Sequence, residues 1–338
     1  MNYRWTKAEY PKERKHNVFS TFACGGGSSM GYKLAGYNVI GANDIDPKMA
    51  KIYQENHKPK LYYLEDIRAL TERTDLDPAL FTLDILDGSP PCTTFSMAGK
   101  REESWGKERK YVEGNVSQTL DDLYFRFLEL ADKLKPKIIV SENVSGLAKG
   151  NAKVYLNNIL KKFREIGYEP QIFLLNGASM GVPQRRERIF VIGRRTDLNL
   201  PPLKLEFHEK PIKYGEYRSP DGKEPTDHMK KVLLNYQRGD KCVADIVERV
   251  NGKLSGFTCF IVDDEVVYPT VTSGGENYRS YDRKKASDMD LILSSSFPTD
   301  YDFMGIDVKY VVGMSVPPLM VYGVSKAIKE QWLDKLEV

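Results

Sequence analysis

The stretch Val18-Phe19-Ser20-Thr21-Phe22-Ala23-Cys24-Gly25-Gly26-Gly27 decides the architecture of this chain. Its first six residues read as a short buried strand. The glycines let the chain turn tightly into a helical stretch that stops near Gly36. Outward from this point the same unit repeats. Val39 to Ala42 reads as a second strand ending in Asn43-Asp44, and Pro47 suits the first turn of a helix reaching about Asn56. Leu83 to Leu86 predicts another strand, ending at Asp87-Gly88. Apolar residues at 120, 123, 127, 130 and 134 predict a helix. Lys137 to Val140 predicts a strand that turns at Ser141-Glu142-Asn143, and Val154 to Ile166 a helix stopped by Gly167. Alternating units of this kind predict an α/β fold: a mostly parallel sheet with helices on both faces.

After about Arg195 the alternation fails. Pro201-Pro202, Pro211 and Ser219-Pro220-Asp221-Gly222 read as loops and turns. Residues 196–300 are therefore expected to form a smaller domain of strands and loops. Residues 1–195 form the first domain, and residues 301–338 return to it as a strand, a turn and a helix starting at Pro317-Pro318.

Composition narrows the function classes. Of 338 residues, 41% are hydrophobic and 29% charged, a globular balance that excludes a mostly disordered chain. No run of 18 apolar residues predicts a membrane span, and Met1 to Asn17 has no apolar core of a signal peptide, so a cytoplasmic protein is expected. The four cysteines, at 24, 92, 242 and 259, make no C-x-x-C pair, and there are only four histidines. No metal site and no disulfide framework are expected.

Chemistry gathers where strands end, because open parallel sheets bind ligands outside their carboxyl edge. The first glycine turn, with Asp44 at the end of the next strand, suits a nucleotide whose ribose hydroxyls need an acidic acceptor. It is neither a G-x-G-x-x-G nor a phosphate loop. Asp66, after a third strand, reads equally as an acceptor for an adenine amino group and as a structural turn acid. Ser89-Pro90-Pro91-Cys92 places a cysteine on a stiffened polar turn, where a nucleophile is favoured over a core thiol. Glu142 ends a neighbouring strand, as a proton donor beside that thiol or as a helix cap. In Gln184-Arg185-Arg186-Glu187-Arg188, arginines alternating into a strand can turn one side chain inward, or form a surface ion-pair lattice. In the second domain Tyr278, Arg279, Tyr281 and Arg283 form a polar and aromatic stretch that also reads as a solvated loop.

Taken in order, these stretches resemble the DNA cytosine-5 methyltransferase family over most of the chain. Phe22-Ala23-Cys24-Gly25-Gly26-Gly27, Asn43-Asp44-Ile45-Asp46 and Asp66-Ile67 resemble its cofactor motifs. Ser89-Pro90-Pro91-Cys92 resembles its catalytic loop, Glu142-Asn143-Val144 its Glu-Asn-Val motif, and Gln184 to Arg188 its Gln-x-Arg-x-Arg motif. Gly313 with Val316-Pro317-Pro318 resembles its last motif. The chain departs from the pattern at Cys24, where glycine is usual, at Thr93, where glutamine is usual, and at Met314-Ser315, where Asn-Ala is usual.

The resemblance implies a Rossmann-like methyltransferase fold with a target recognition domain. It implies S-adenosylmethionine as cofactor and S-adenosylhomocysteine as product. Cys92, Glu142, Arg186 and Arg188 would be catalytic. Phe22, Ala23, Cys24, Gly26, Gly27, Asp44, Ile45, Asp66, Ile67, Pro90, Ser315 and Val316 would contact the cofactor. The expected partner is double-stranded DNA with its target cytosine flipped out and Tyr278, Arg279, Tyr281 and Arg283 among its plausible contacts, and the expected state is a monomer. A separately acting cognate restriction endonuclease joins it if the chain belongs to a restriction–modification pair. The alternatives are a tRNA cytosine-5 methyltransferase of the same fold, demoted because Phe257-Thr258-Cys259-Phe260 is not that group's Cys-Phe-Thr triplet, and an inactive DNA-binding homologue, which would be expected to lose Cys92 or Glu142.

Overall fold

The computed structural model describes residues 2–91, 122–150, 152–252 and 259–336, together with the short strands at 109–110 and 117–118. The chain divides into two compact units. The larger comprises Tyr10–Asn176, Glu187–Glu206 and Val321–Val338; the smaller comprises Met1–Glu9, Gly177–Arg186 and Phe207–Met320.

The larger unit is built on seven strands: β1 (Lys15–Thr21), β2 (Tyr37–Asp44), β3 (Leu61–Leu64), β4 (Ile85–Gly88), β7 (Ile138–Val144), β8 (Tyr168–Asn176) and β9 (Glu187–Arg195). Their order is β3-β2-β1-β4-β7-β9-β8. The first five are parallel, and β9 runs antiparallel to both of its neighbours. Two-residue strands β5 (Arg109–Lys110) and β6 (Ser117–Gln118) pair separately. Helices α1 (Gly27–Leu34), α2 (Pro47–His57), α3 (Ile67–Glu72), α4 (Leu123–Leu134) and α5 (Ala152–Glu165) fill the crossovers.

Local chemistry explains the boundaries. Asp46 caps α2 by accepting from the Lys48 N–H at 2.8 Å, and Pro47 occupies the first turn, where its missing N–H costs nothing. The predicted helical face of α4 is the observed one: Leu123, Phe127, Leu130 and Leu134 are buried. They join Phe19, Leu86, Ile139 and Val191 in the main apolar cluster. Position 120 lies outside the described residues. At Gly88 a β-carbon would meet Phe127 and the Thr21 hydroxyl, each at 2.6 Å, so only glycine lets β4 end against α4 and β1.

The sequence expectations need two corrections here. The strand from Lys137 does not end at Ser141; β7 continues to Val144, because β9 pairs with it from Ile138↔Arg194 to Val144↔Arg188. Tyr310 does not start a strand. Val308–Met314 is a helix, α9, capped by Asp307, which accepts from the Lys309 N–H at 2.8 Å. The final helix, α10 (Pro318–Gln331), does begin at the proline pair. Its later turns belong to the larger unit, where the Tyr37 hydroxyl donates to the Ser325 carbonyl at 2.8 Å.

The smaller unit is also more helical than expected. Helices α6 (Asp227–Leu233), α7 (Val243–Asn251), α8 (Asp288–Ser294) and α9 outweigh its strands β10 (Phe260–Val262) and β11 (Asn277–Arg279), which pair in parallel. Met229, Leu233, Val243, Ile246, Ile261 and Tyr278 form a separate core. Its limits also differ from the expected 196–300: residues up to 206 fall in the larger unit, and 301–320 fall in the smaller one.

Candidate active site

In the larger unit the carboxyl ends of β1, β2, β4 and β7 form one edge. At the end of β1 the chain reverses through three left-handed residues, Phe22 (φ 52°), Cys24 (φ 46°) and Gly26 (φ 79°). Such backbone is costly for side-chain-bearing residues and must be held by its surroundings. Asp44 supplies the hold. Its carboxylate accepts the Cys24 N–H at 2.7 Å and the Asp46 N–H at 2.9 Å. Burial pushes the Asp44 carboxyl up, and these backbone donors hold it down. Burial, with Asp44 beside it, pushes the Cys24 thiol well up, so Cys24 is a neutral group lining the turn. Ala23 packs with Ala42, Tyr53 and Tyr62. A β-carbon on Gly26 would lie 2.1 Å from Nε2 of His57, whose ring occupies that space.

These residues fit the adenosyl portion of S-adenosylmethionine. The Tyr62 hydroxyl is buried with no partner among the described residues, and it feels the charge of Asp44. The N-cap of α1 is Gly26, which has no side chain to cap the first N–H groups of the helix. Asp44, the backbone at Phe22–Gly27 and Ile45, which is half-buried, are the groups that would hold the nucleoside. Asp66 is placed otherwise: it caps α3, accepting from the Arg68 N–H at 2.8 Å, and pairs with the Arg68 guanidinium at 3.0 Å. Ile67 is buried in the main core.

Glu142 lies within β7 rather than in a turn, and it caps no helix: the 3-10 turn Ser145–Ala148 is preceded by Val144. Phe190 stands opposite Glu142 in the antiparallel pair, so Arg188, two residues earlier on β9, is its diagonal neighbour on the same face. Arg188 Nε donates to Glu142 Oε1 at 2.8 Å, with the side chains 13% and 9% exposed. Burial draws the Arg188 guanidinium down, and Glu142 opposes that shift. Glu187 points outward, so the alternation expected of this segment sends Arg188 inward.

Arg186 does not share that position. It belongs to the smaller unit, and its guanidinium donates to the carbonyls of Val271 (2.9 Å), Gly313 (3.2 Å) and Ser315 (3.1 Å). Within that unit it braces the main chain. Ser315 and Val316 are buried in the same unit, with the Ser315 hydroxyl donating to the Val311 carbonyl at 2.8 Å. Among the expected DNA contacts, Tyr278 and Arg279 are buried, and Arg279 is bonded to Asp282 and to the Ser219 carbonyl. Tyr281 and Arg283 are exposed.

Cys92 lies outside the described residues, but its approach does not. Pro90 is buried, and its carbonyl accepts from the Asn143 side-chain amide at 2.9 Å. The residue next to Glu142 thus ties β7 to the turn two residues before Cys92. No local signal in the sequence assigns Asn143 this role, nor sets Asp87 apart from other strand-terminal acids; Asp87 is buried at the end of β4. Burial pushes the Asp87 carboxyl up to about 7, against hydrogen bonds from Ser20 and Tyr32 and with a further push from the charge of Glu142. Only its position as the last charged residue of an apolar strand hinted at this.

Comparison with known proteins places this geometry. The family described as C-5 cytosine-specific DNA methylase matches residues 16–330. The Type II methyltransferase M.FnuDI of Fusobacterium nucleatum is 27% identical over 95% of this chain and 96% of its own length. The Type II methyltransferase M1.HphI of Haemophilus parahaemolyticus is 26% identical over 91% of this chain and 85% of its own. The solved structure of a Spodoptera frugiperda DNMT2 mutant covers 93% of this chain and 99% of its own length with a TM-score of 0.65 at 18% identity, a likeness of fold. The chain belongs to the C-5 cytosine-specific DNA methylases, enzymes that draw their methyl group from S-adenosylmethionine.

Proposed function

We propose that the chain methylates a cytosine flipped out of a specific duplex DNA sequence, with Cys92 as nucleophile, Glu142 as proton donor and Arg188 as the group that orients Glu142. The observation that carries this reading is the buried Glu142–Arg188 pair on a strand that Asn143 ties to Pro90. Cytosine C5 is a poor nucleophile. Addition of the Cys92 thiolate to C6 forms an S–C6 bond and moves an electron pair toward C5 and N3. A proton from Glu142 neutralises the charge that develops at N3. Arg188 holds the Glu142 carboxyl in place and stabilises the site while that proton moves. Bound S-adenosylmethionine supplies the methyl group that C5 takes. Loss of the C5 proton to a base then returns an electron pair that expels Cys92 as thiolate, and return of the N3 proton to Glu142 restores the ring. A stacked base offers none of these atoms, so flipping, which costs a few kcal/mol, precedes the chemistry.

Asp44 and the Phe22–Gly27 backbone hold the cofactor in this reading. The smaller unit reads the DNA sequence, with Tyr281 and Arg283 among its exposed candidates, since arginine to guanine is the commonest specific contact. The enzyme acts as a monomer in the bacterial cytoplasm. The Type II names of its relatives support a restriction–modification role with a separate endonuclease. Bisulfite sequencing of plasmid DNA from cells expressing the chain tests the reading. A single recurring methylated site is expected; unmodified plasmid from cells making folded protein would overturn it.

A further inference from the structure

Asp87 pairs in register with Ser20 of β1 and with Val140 of β7. Register partners in a sheet project to the same face, and so do residues two apart on one strand. Glu142, two residues beyond Val140, therefore rises from the face that carries Asp87. Arg188 is on that face as the diagonal neighbour of Glu142. Ser20, Asp87, Glu142 and Arg188 thus form a row across four adjacent strands, β1, β4, β7 and β9.

The charges in this row do not balance. It holds two buried carboxyls and one guanidinium, and the guanidinium is committed to Glu142. Among the described residues no cation pairs with Asp87. Its oxygens accept from the Ser20 hydroxyl at 2.7 Å and the Tyr32 hydroxyl at 3.2 Å. Ser28 of α1 adds a further hydroxyl, and Tyr53 of α2, bonded to Ser29 at 2.7 Å, is the other titratable group that feels Asp87. Hydroxyls can serve either state of a carboxyl, because each both donates and accepts. Two carboxyls that share one low-dielectric face resist ionising together.

We propose that Asp87 is a positioning residue for methyl transfer: its charge, projected along the sheet face onto Glu142, biases the Glu142 carboxyl toward holding the proton that the base receives. The charge of Glu142 pushes the Asp87 carboxyl up, and a coupling of this kind acts in both directions. Asp87 touches no reacting atom in this scheme, and its role rests on the reading of Glu142 as proton donor.

Two measurements test the proposal. Side-chain carboxyl NMR on the aspartate-labelled protein follows Asp87 without cofactor or DNA. Its resonance is the one missing from Asp87→Asn or, should that variant unfold, the one displaced by Ser20→Ala. Glu142→Gln should lower the Asp87 midpoint by about one unit. An unmoved midpoint overturns the coupling. Single-turnover methylation against pH gives the second readout. The alkaline limb of Asp87→Asn should fall about one unit earlier, a roughly tenfold loss above it, with the acid side intact. Superposed profiles overturn the positioning role. A Glu142→Gln variant that methylates at the wild-type rate removes the proton donor itself and with it the role of Asp87, whatever the titration shows.

Discussion

Arg188 and Glu142 meet at 2.8 Å as diagonal neighbours across β9 and β7, the antiparallel junction of an otherwise parallel stretch of sheet. The reversal of β9 is what brings the arginine to the glutamate. A parallel partner would have delivered the far end of the strand to this edge. Replacing Glu142 by Gln keeps the shape and a hydrogen bond to Arg188 but removes the transferable proton. Methyl incorporation should fall by about 10²–10⁴-fold with S-adenosylmethionine affinity unchanged, measured by single-turnover transfer and calorimetry. Arg188→Ala should also lose stability, about 3–5 kcal/mol, because it strands a buried carboxylate.

Cys92→Ala should abolish methyl transfer and spare DNA binding, whose energy comes mainly from phosphates and base edges. Gel shifts alongside a transfer assay check this; full methylation by the alanine variant would remove Cys92 from the mechanism.

Asp44 both holds the Cys24 and Asp46 N–H groups and offers lone pairs to a ribose. Asp44→Ala should weaken S-adenosylmethionine binding by about 1–3 kcal/mol, the worth of a hydrogen bond to a charged group. Unchanged affinity by calorimetry would make Asp44 a turn residue only.

Asp84 and Asp87 predict opposite pH dependences from positions three residues apart. Burial pushes the Asp84 carboxyl up, but bonds from His16, Lys137 and the Asn17 N–H outweigh it and hold it down to about 2. Its contribution is present above the unfolded value of about 3.9 and is lost as pH falls toward 2. The Asp87 value is raised to about 7. The unfolded chain therefore ionises first, and folding loses stability as pH rises from about 4 to 7. Melting curves should show Asp84→Asn losing less than wild type on acidification. Asp87→Asn should improve relative to wild type as pH rises from about 4 to 7.

Exchanging the smaller unit for that of a relative should change the site methylated and leave the chemistry working. The graft should carry residues 1–9 and 177–186 as well as 207–320, since these share one compact unit. An active, cofactor-binding chimera that keeps the original site would place recognition in the larger unit.

Much of this was legible in the chain. The strands that end at Asp44 and Gly88 and the helical face of α4 follow from apolar periodicity, and the edge they define carries Asp44 and Glu142. What escaped depends on partners distant in sequence. The extension of β7 to Val144 is set by β9, more than 40 residues on, so no local signal could separate Glu142 in a strand from Glu142 in a turn. Arg186 and Arg188 read alike along the chain, yet they serve different units. Asp87 looks like any strand-terminal acid until Ser20 and Tyr32 are seen to enclose it.

The compact units are laced together by the backbone itself. The chain passes from one to the other at 9/10, 176/177, 186/187, 206/207 and 320/321. A protease nick at any one of these five joints would leave both halves covalently tethered through the other four. A cut at 176/177, 186/187 or 206/207 gives two fragments that each carry pieces of both units, and neither is a self-sufficient module. Inheritance faces the same constraint: the smaller unit cannot be exchanged as one contiguous cassette without leaving behind the short stretches at 1–9 and 177–186. Drift of residues already in place is therefore an easier evolutionary route to change in this unit than wholesale shuffling.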